Sequence, residues 1–403
     1  MVKLPKLATY SECMGCMLCA EVCPKQAILI KEDGNGYWMP VIDEKRCVGC
    51  RACECKCITM RNGSDKTLLN KSKQPYKGWC SDTDIRKNSA SGGIFSAIAI
   101  SMICKHDAIV FGATLQGNKV FHTAIEKKEE LNLLQGSKYI QSNTTGIYHK
   151  VKEQLRNGRM VVFSGTPCQV KALRVFLNKD YDNLLTIDLI CHGVVSNTIF
   201  RRHIEKNKCG EVLAFRDKSL GWGHDVFFKC RKDGVTKVDT DWKHNFFYHA
   251  FQIETCTRYS CYYCQFCHQE RVSDITIGDY WAAKHSQEYT PLGISTILPN
   301  TDKGKSFLDE CDNIEKYSAN WLSTIKSNPR LFVPRPLFKK FACGRYIGRM
   351  YKYLPNTIAD GILGVWYSKR NLLFLPWFKY IQHIKQRYEE EYKQRLNKSF
   401  GNL

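Results

Sequence analysis

One cysteine spacing is used twice near the start of the chain. The pattern C-x2-C-x2-C-x3-C runs through Cys13, Cys16, Cys19 and Cys23, and recurs at Cys47, Cys50, Cys53 and Cys57. Three thiolates this closely spaced can wrap three corners of an iron–sulfur cubane, and the fourth reaches across to the cubane of the other repeat. One [4Fe–4S] cluster is therefore expected on Cys13, Cys16, Cys19 and Cys57, and a second on Cys47, Cys50, Cys53 and Cys23. Zinc or incidental thiols are the rival reading, and the matched repetition argues against them. Pro24 follows Cys23, whereas Ile58 follows Cys57, and Cys55 is a spare thiol inside the second motif.

A second set of cysteines is dispersed. In "VVFSGTPCQVKALRVFL" (Val161 to Leu177) an apolar run ends in turn residues, and Cys168 opens the apolar helical face that follows. "LLTIDLICHGVVS" ends a second apolar run in Cys191-His192-Gly193, and "CTRYSCYYCQFC" supplies Cys256, Cys261, Cys264 and Cys267. In an open α/β sheet the carboxyl ends of neighbouring parallel strands form the ligand edge. Cys168, Cys191, Cys261 and Cys264 would make a third [4Fe–4S] set. Zinc on Cys256, Cys261, Cys264 and Cys267 competes with it, as do inert buried thiols. A nucleophilic Cys168 would need a base such as His192. Spacing alone leaves these alternatives open.

Two further stretches carry binding chemistry. "NSASGGIFSAIAISMI" (Asn88 to Ile103) runs small residues into an apolar helix, a start suited to phosphate, although an ordinary N-cap uses the same residues. "QGSKYIQSN" (Gln135 to Asn143) gathers a cation and several donors; Lys138 could face a phosphate or a reduced flavin ring, with an ordinary surface lysine as the default. His192, His224, Asp279 and Lys138 could protonate or orient a substrate.

The elements that must position these groups follow from periodicity. "AILIKEDGNGYWMPVID" reads as a hairpin between the two Cys repeats, and Arg61 to Tyr76 as a linker. Beyond it a helix is expected over Ser91 to Ile103, and strands over Ala108 to Thr114, Met160 to Phe163, Leu184 to Ile190 and "DITIGDYW", the rhythm of an α/β sheet. The expected class is α+β with α/β: a small bacterial-ferredoxin-like domain (1–62), a linker (63–80), an α/β flavin- and cluster-binding domain (81–330) and a mostly helical basic tail (331–403). "FRDKSLGWGHD" (Phe215 to Asp225) is a turn-rich loop over the site or an ordinary one.

Composition bounds the class. The 403 residues, 43% hydrophobic and 25% charged, suit two or three globular domains, while 21 cysteines are far more than usual. The amino end shows no signal-peptide pattern, and no apolar run approaches the ~20 residues of a spanning helix. The cysteines are thus expected to bind metal in the cytoplasm rather than to form disulfides. The formal charge of +21 suggests an acidic or phosphorylated partner, less strongly once the negative charge of clusters is counted.

Taken together and in order, "SASGGIFSAIA", "GSKYIQS", "SGTPCQVKAL", "DLICHG", "SCYYC" and "DITIGDYW" resemble the family of coenzyme F(420) hydrogenase/dehydrogenase beta subunits. The resemblance covers about residues 75 to 330, behind a fused two-cluster ferredoxin domain like that of bacterial members met among polysaccharide-biosynthesis genes. It implies a flavin, FAD rather than FMN, bound near Ser91, Gly92, Gly93, Ser137, Lys138, Tyr139, Gly165 and Thr166. It also favours Cys168, Cys191, Cys261 and Cys264 as ligands of the third cluster. Cys267 beside the pair departs from the pattern, and no residues mark a deazaflavin pocket.

The function this implies is an iron–sulfur flavoprotein oxidoreductase exchanging electrons between clusters and flavin and hydride with a small molecule or electron carrier, with Lys138 and His192 as candidate catalytic groups. The alternative is an electron-transfer subunit that feeds a partner oxidoreductase. The tail from Arg335 holds 14 Lys/Arg against 4 Asp/Glu with interleaved aromatics. That composition suits a solvated helix or a weak peripheral contact at the inner membrane surface. No nucleic-acid-binding module is present.

Overall fold

A computed structural model describes residues 2–60, 69–223, 227–239, 247–248, 251, 256–334, 390, 392–394 and 396–398. Most of the basic tail, together with His224 and Asp225, lies outside the described residues. Two short helices, α1 (Leu18–Glu21) and α2 (Ala52–Cys55), flank the hairpin β1 (Ile28–Glu32) and β2 (Trp38–Ile42). The hairpin expected from the Asp-Gly/Asn-Gly turn is thus present, with Gly36 at φ 83°, a backbone that glycine adopts without strain.

After the two-residue strand β3 (Asn70–Lys71) come β4 (Tyr76–Cys80), the short helix α3 (Thr83–Asn88) and the long helix α4 (Ile94–His106). The hairpin β5 (Ile109–Gln116) and β6 (Lys119–Ile125) precedes α5 (Ile147–Arg156), β7 (Val161–Gly165), α6 (Pro167–Leu177), β8 (Leu184–Leu189) and α7 (Asn197–Lys206). A three-stranded antiparallel sheet follows, β9 (Glu211–Asp217), β10 (Phe227–Lys232) and β11 (Val235–Asp239). Then come the two-residue β12 (Glu270–Arg271), which pairs with β3, and β13 (Ile275–Asp279), β14 (Ser295–Pro299) and β15 (Ile314–Ser318).

The main sheet has eight strands in the order β15-β4-β14-β13-β8-β7-β5-β6. Strands β5, β7, β8 and β13 are parallel, in the register Val110–Val162, Val161–Leu184 and Ile275–Ile187. β14 and β6 run against them. Alternation along the buried strands sends side chains to two cores. Val110, Val162, Leu185 and Ile187 pack with α4, and Ile109, Val161, Phe163 and Leu184 with α5 and α6. β4 contributes five residues to this sheet, so the segment read as a linker to residue 80 ends in a structural strand. Pro75 and Gly78 hid it from periodicity.

Leu18 and Ile58 join the core beneath α5 and α6, which seats the cysteine-rich amino-terminal lobe on that face. Tyr148 donates from its hydroxyl to the Cys16 carbonyl at 2.8 Å, and Gln141 donates from its amide to the Gly15 carbonyl at 2.7 Å. Tyr37 reaches the other way, donating to the Cys256 carbonyl at 2.7 Å. Among the described residues no helix is long and apolar enough to cross a membrane.

Candidate iron–sulfur site

The repeat in the sequence is also a repeat in the backbone. Gly15 and Met17 have φ 64° and 63°, and their counterparts Gly49 and Arg51 have φ 70° and 60°. Left-handed residues on either side of Cys16 and Cys50 curl the chain so that thiols three positions apart face inward rather than alternating outward. The strain at Met17 and Arg51, of order 1 kcal/mol each, needs a compensating ligand or contact. Cys13, Cys16, Cys19 and Cys57 line one hollow, whose wall also includes Cys53 and Trp38. Cys23, Cys47, Cys50 and Cys53 line a second. Backbone N–H groups point at sulfur, from Gly15 to Cys13 at 3.4 Å and from Ala27 to Cys23 at 3.2 Å. Such donors favour thiolate. Cys55 is exposed, away from both linings.

The dispersed cysteines come together at one edge of the main sheet. Cys168 follows β7 and opens α6, and Cys191 follows β8, so adjacent parallel strands deliver both. Cys261 and Cys264 arrive on the turn before β13, close enough for Cys168 to act on both and for Cys261 to act on Cys191. Burial pushes the Cys191 thiol up to about 12 and the Cys261 thiol up to about 11, and raises Cys168. Ligand thiols must be deprotonated, so these sites favour a cationic guest over free thiolates. Two of the sulfurs already have hydrogen-bond partners: Thr166 Oγ1 lies 3.1 Å from Cys168 Sγ, and Gly193 N–H donates to Cys191 Sγ at 3.4 Å. Among the described residues no three His, Cys, Asp or Glu side chains converge on a single-ion position. Cys256 is wholly buried and Cys267 is hydrogen-bonded to Cys264 and to Arg330. Cys16 and Cys168 act on each other, so the first hollow and this quartet are neighbours.

The expected flavin contacts divide into two groups. Ser91 Oγ donates to the Ile294 carbonyl at 2.7 Å, and Gly92 N–H donates to Ser295 Oγ at 2.9 Å. A Cβ on Gly92 would come within 2.6 Å of the Gly78 carbonyl oxygen, so close strand packing alone requires this glycine. Gly93 is the left-handed N-cap of α4, at φ 79°. The structure thus spends these three residues on joining α4 to β4 and β14. Gly165 ends β7 and Thr166 caps α6 in a reciprocal box with Gln169. Lys138 Nζ donates to the Leu134 and Gln135 carbonyls at 3.0 and 2.8 Å, and burial lowers it to about 7. Tyr139, stacked on Phe251 with ring centroids 4.1 Å apart, has its hydroxyl among Ser137, Arg216 and Asp279. His192 gives its carbonyl to Arg330 Nη2 at 3.2 Å.

Asp279, at the carboxyl end of β13, accepts from Arg216 Nη1 at 2.9 Å and from Trp222 Nε1 at 2.6 Å. This pair holds the start of the Phe215–Asp225 loop against the same sheet edge. Lys218 continues the anchoring by donating to the Ser91 and Leu292 carbonyls, both at 2.8 Å. Sequence reasoning named Asp279 but missed Arg216 and Lys218, and also Arg258 and Arg330, which flank the cysteine quartet. Arg258 stands inside "CTRYSCYYC", where a cation between ligating thiols is a legible signal; Arg330, Arg216 and Lys218 carry none.

Comparison with known proteins supplies the lineage. A family model described as the C terminus of the coenzyme F420 hydrogenase/dehydrogenase beta subunit matches residues 158–322, and one described as 4Fe-4S dicluster domain matches residues 12–60. The F subunit of the F(420)H(2) dehydrogenase of Methanosarcina mazei is 22% identical over 326 residues, 76% of this chain and 84% of that protein. A solved structure, the xenon-derivatised F420-reducing [NiFe] hydrogenase complex from Methanosarcina barkeri, aligns at a TM-score of 0.45 and 18% identity over 72% of this chain and 98% of that one. With paired thiol hollows ahead of it and a ligand edge within it, the chain is an iron–sulfur electron-transfer protein related over residues 158–322 to the coenzyme F420 hydrogenase/dehydrogenase beta subunit, with a 4Fe-4S dicluster domain over residues 12–60.

Proposed function

We propose that this chain is an iron–sulfur flavoprotein oxidoreductase with three [4Fe–4S] clusters, exchanging electrons with a flavin and hydride with a small molecule or soluble carrier. The observation that carries it is the gathering of Cys168, Cys191, Cys261 and Cys264 at the carboxyl edge of the sheet, with Cys168 beside Cys16 of the first hollow. The outer hollow includes Cys50, an exposed thiol, and is the natural entry for electrons from solution. Cys16 and Cys168 then set the order of the relay. A bound flavin supplies the exchange between single electrons and hydride.

The residues of this chain do the positioning. Thr166, Lys138 and Tyr139 border the edge where the ring would lie, and Asp279 holds Arg216 and Trp222 over it. Lys138, lowered to about 7, can hold or release a proton near neutral pH. His192 adjoins Cys191 and is the second candidate proton carrier. The motif resemblance favours a reaction in polysaccharide biosynthesis, with FAD as the flavin.

Iron, sulfide, zinc and flavin content of anaerobically purified protein tests this. About twelve irons and one flavin per chain are expected from three four-iron clusters. About eight irons with zinc and no flavin would sink the flavoenzyme reading and leave only the paired clusters. A second reading is favoured by the Methanosarcina mazei relative, which is named as one subunit of a dehydrogenase. Here the chain only feeds a partner oxidoreductase, and reduced protein would pass electrons to no small molecule offered alone.

A further inference from the structure

Arg258 ties the amino-terminal lobe to the quartet. Its side chain is only 2% exposed. Nη1 donates to the Cys13 carbonyl at 2.8 Å, and Nη2 donates to the Trp38 carbonyl. The guanidinium carbon lies 5.4 Å from the centroid of the Tyr37 ring. Ser260 Oγ, two residues on, donates to the same Cys13 carbonyl at 2.9 Å. Nη1 also lies 3.6 Å from the Met39 sulfur, and all three of these partners are neutral, so they leave the charge of the guanidinium uncompensated. Its Nε is buried and has no hydrogen-bond partner among the described residues. A buried cation in that condition is costly unless a negative group stands nearby. Two candidates do: the charge of Arg258 reaches both Cys168 and Cys261 and opposes the effect of burial on their thiols. On its other side is Cys13, a lining residue of the first hollow.

We propose that Arg258 is the shared counter-charge of two neighbouring iron–sulfur sites, the one on Cys13, Cys16, Cys19 and Cys57 and the one on Cys168, Cys191, Cys261 and Cys264, and that it sets the reduction potential of the latter. It is a positioning residue, bound to carbonyls rather than to a reacting atom. Four thiolates leave a cluster net negative, and reduction adds one more negative charge. A fixed cation and an unsatisfied N–H beside the cluster therefore stabilise the reduced form and raise its potential. The same two carbonyl bonds hold the lobes in register, so the charge and the spacing of the relay are set by one side chain. The inference rests on the reading that the quartet holds a cluster.

The test is an anaerobic redox titration read by electron paramagnetic resonance, on the full chain as wild type, Arg258→Lys and Arg258→Gln, each with its iron counted. The signal of the third cluster is the one that Cys168→Ser abolishes. A wild type with about eight irons would remove the third cluster and the reading beneath this inference. With about twelve irons present, Arg258→Gln should show that signal at a more negative midpoint, and Arg258→Lys should stay near wild type. An unchanged midpoint in fully loaded Arg258→Gln, or an equal shift in both variants, would overturn the proposal. Iron loss from Arg258→Lys would overturn it too, because that variant keeps the charge. Iron loss confined to Arg258→Gln would support it.

Discussion

A buried thiol with a raised pKa is a poor nucleophile and a good ligand once a metal displaces its proton. Cys168 is in that condition: burial raises it, and Thr166 and Arg258 only partly oppose the effect. Its neighbours include three other thiols, Cys191, Cys261 and Cys264. The ligand role therefore predicts a stoichiometric result. Cys168→Ser should lose about four irons per chain, one cubane, while keeping the two amino-terminal clusters. Cys55→Ser, at an exposed thiol outside both hollows, should lose none. Iron and sulfide assays on anaerobic protein read both, and equal iron in wild type and Cys168→Ser would end the ligand assignment.

At the scale of elements, the approach of α4 to β4 and β14 is a tight construction near the site. Gly92 sits where a Cβ would lie 2.6 Å from the Gly78 carbonyl oxygen and 2.8 Å from the Ser295 nitrogen, both backbone atoms that cannot step aside. Gly92→Ala should therefore destabilise the fold by about 1–3 kcal/mol, the usual cost of overpacking. Chemical denaturation measures it, and a variant as stable as wild type would show that the helix start is loose enough to be a ligand cradle. The glycines of "SASGGIF" were legible as special, but the reason for them was not. A glycine needed for phosphate and a glycine needed for a crossing strand look identical in one dimension. β4 was hidden for a related cause: its register is dictated by β14 and β15, which come more than 200 residues later.

At the scale of the whole molecule, two buried histidines make the fold sensitive to acid. His122 lies between Ser142 Oγ at 2.7 Å and the Ser164 carbonyl at 2.9 Å, and burial lowers it to about 4. His203, packed edge-on to Phe228 at 4.8 Å, is lowered to about 4 by burial and Lys206. Both are neutral in the fold and take up a proton more readily when unfolded, near pH 6.5. Their contribution is thus complete above about pH 6.5 and is lost as pH falls toward 4, by up to ~3 kcal/mol for each site. Denaturation midpoints measured from pH 7.5 to 5 should fall for the wild type and fall less for His122→Asn. Parallel curves would show that His122 takes no part in acid unfolding.

The amino-terminal quartets, the hairpin between them, the central strands and the start of α6 were readable from sequence, because each depends on residues a few positions apart. Ligands two or three residues apart are brought together by the local backbone, whatever the rest of the chain does. The strands of the sheet interior announced themselves in the same way, since burial on both faces demands unbroken apolar runs. What only the tertiary structure decided is which distant groups share a site. It put Cys16 beside Cys168, set Asp279 against Arg216, and aimed Arg258 from the third cysteine cluster into the carbonyls of the first hollow. No periodicity encodes such pairings. They follow from the order of strands in the sheet and from the docking of one lobe on another, where side chains far apart in sequence bury charge and sulfur together.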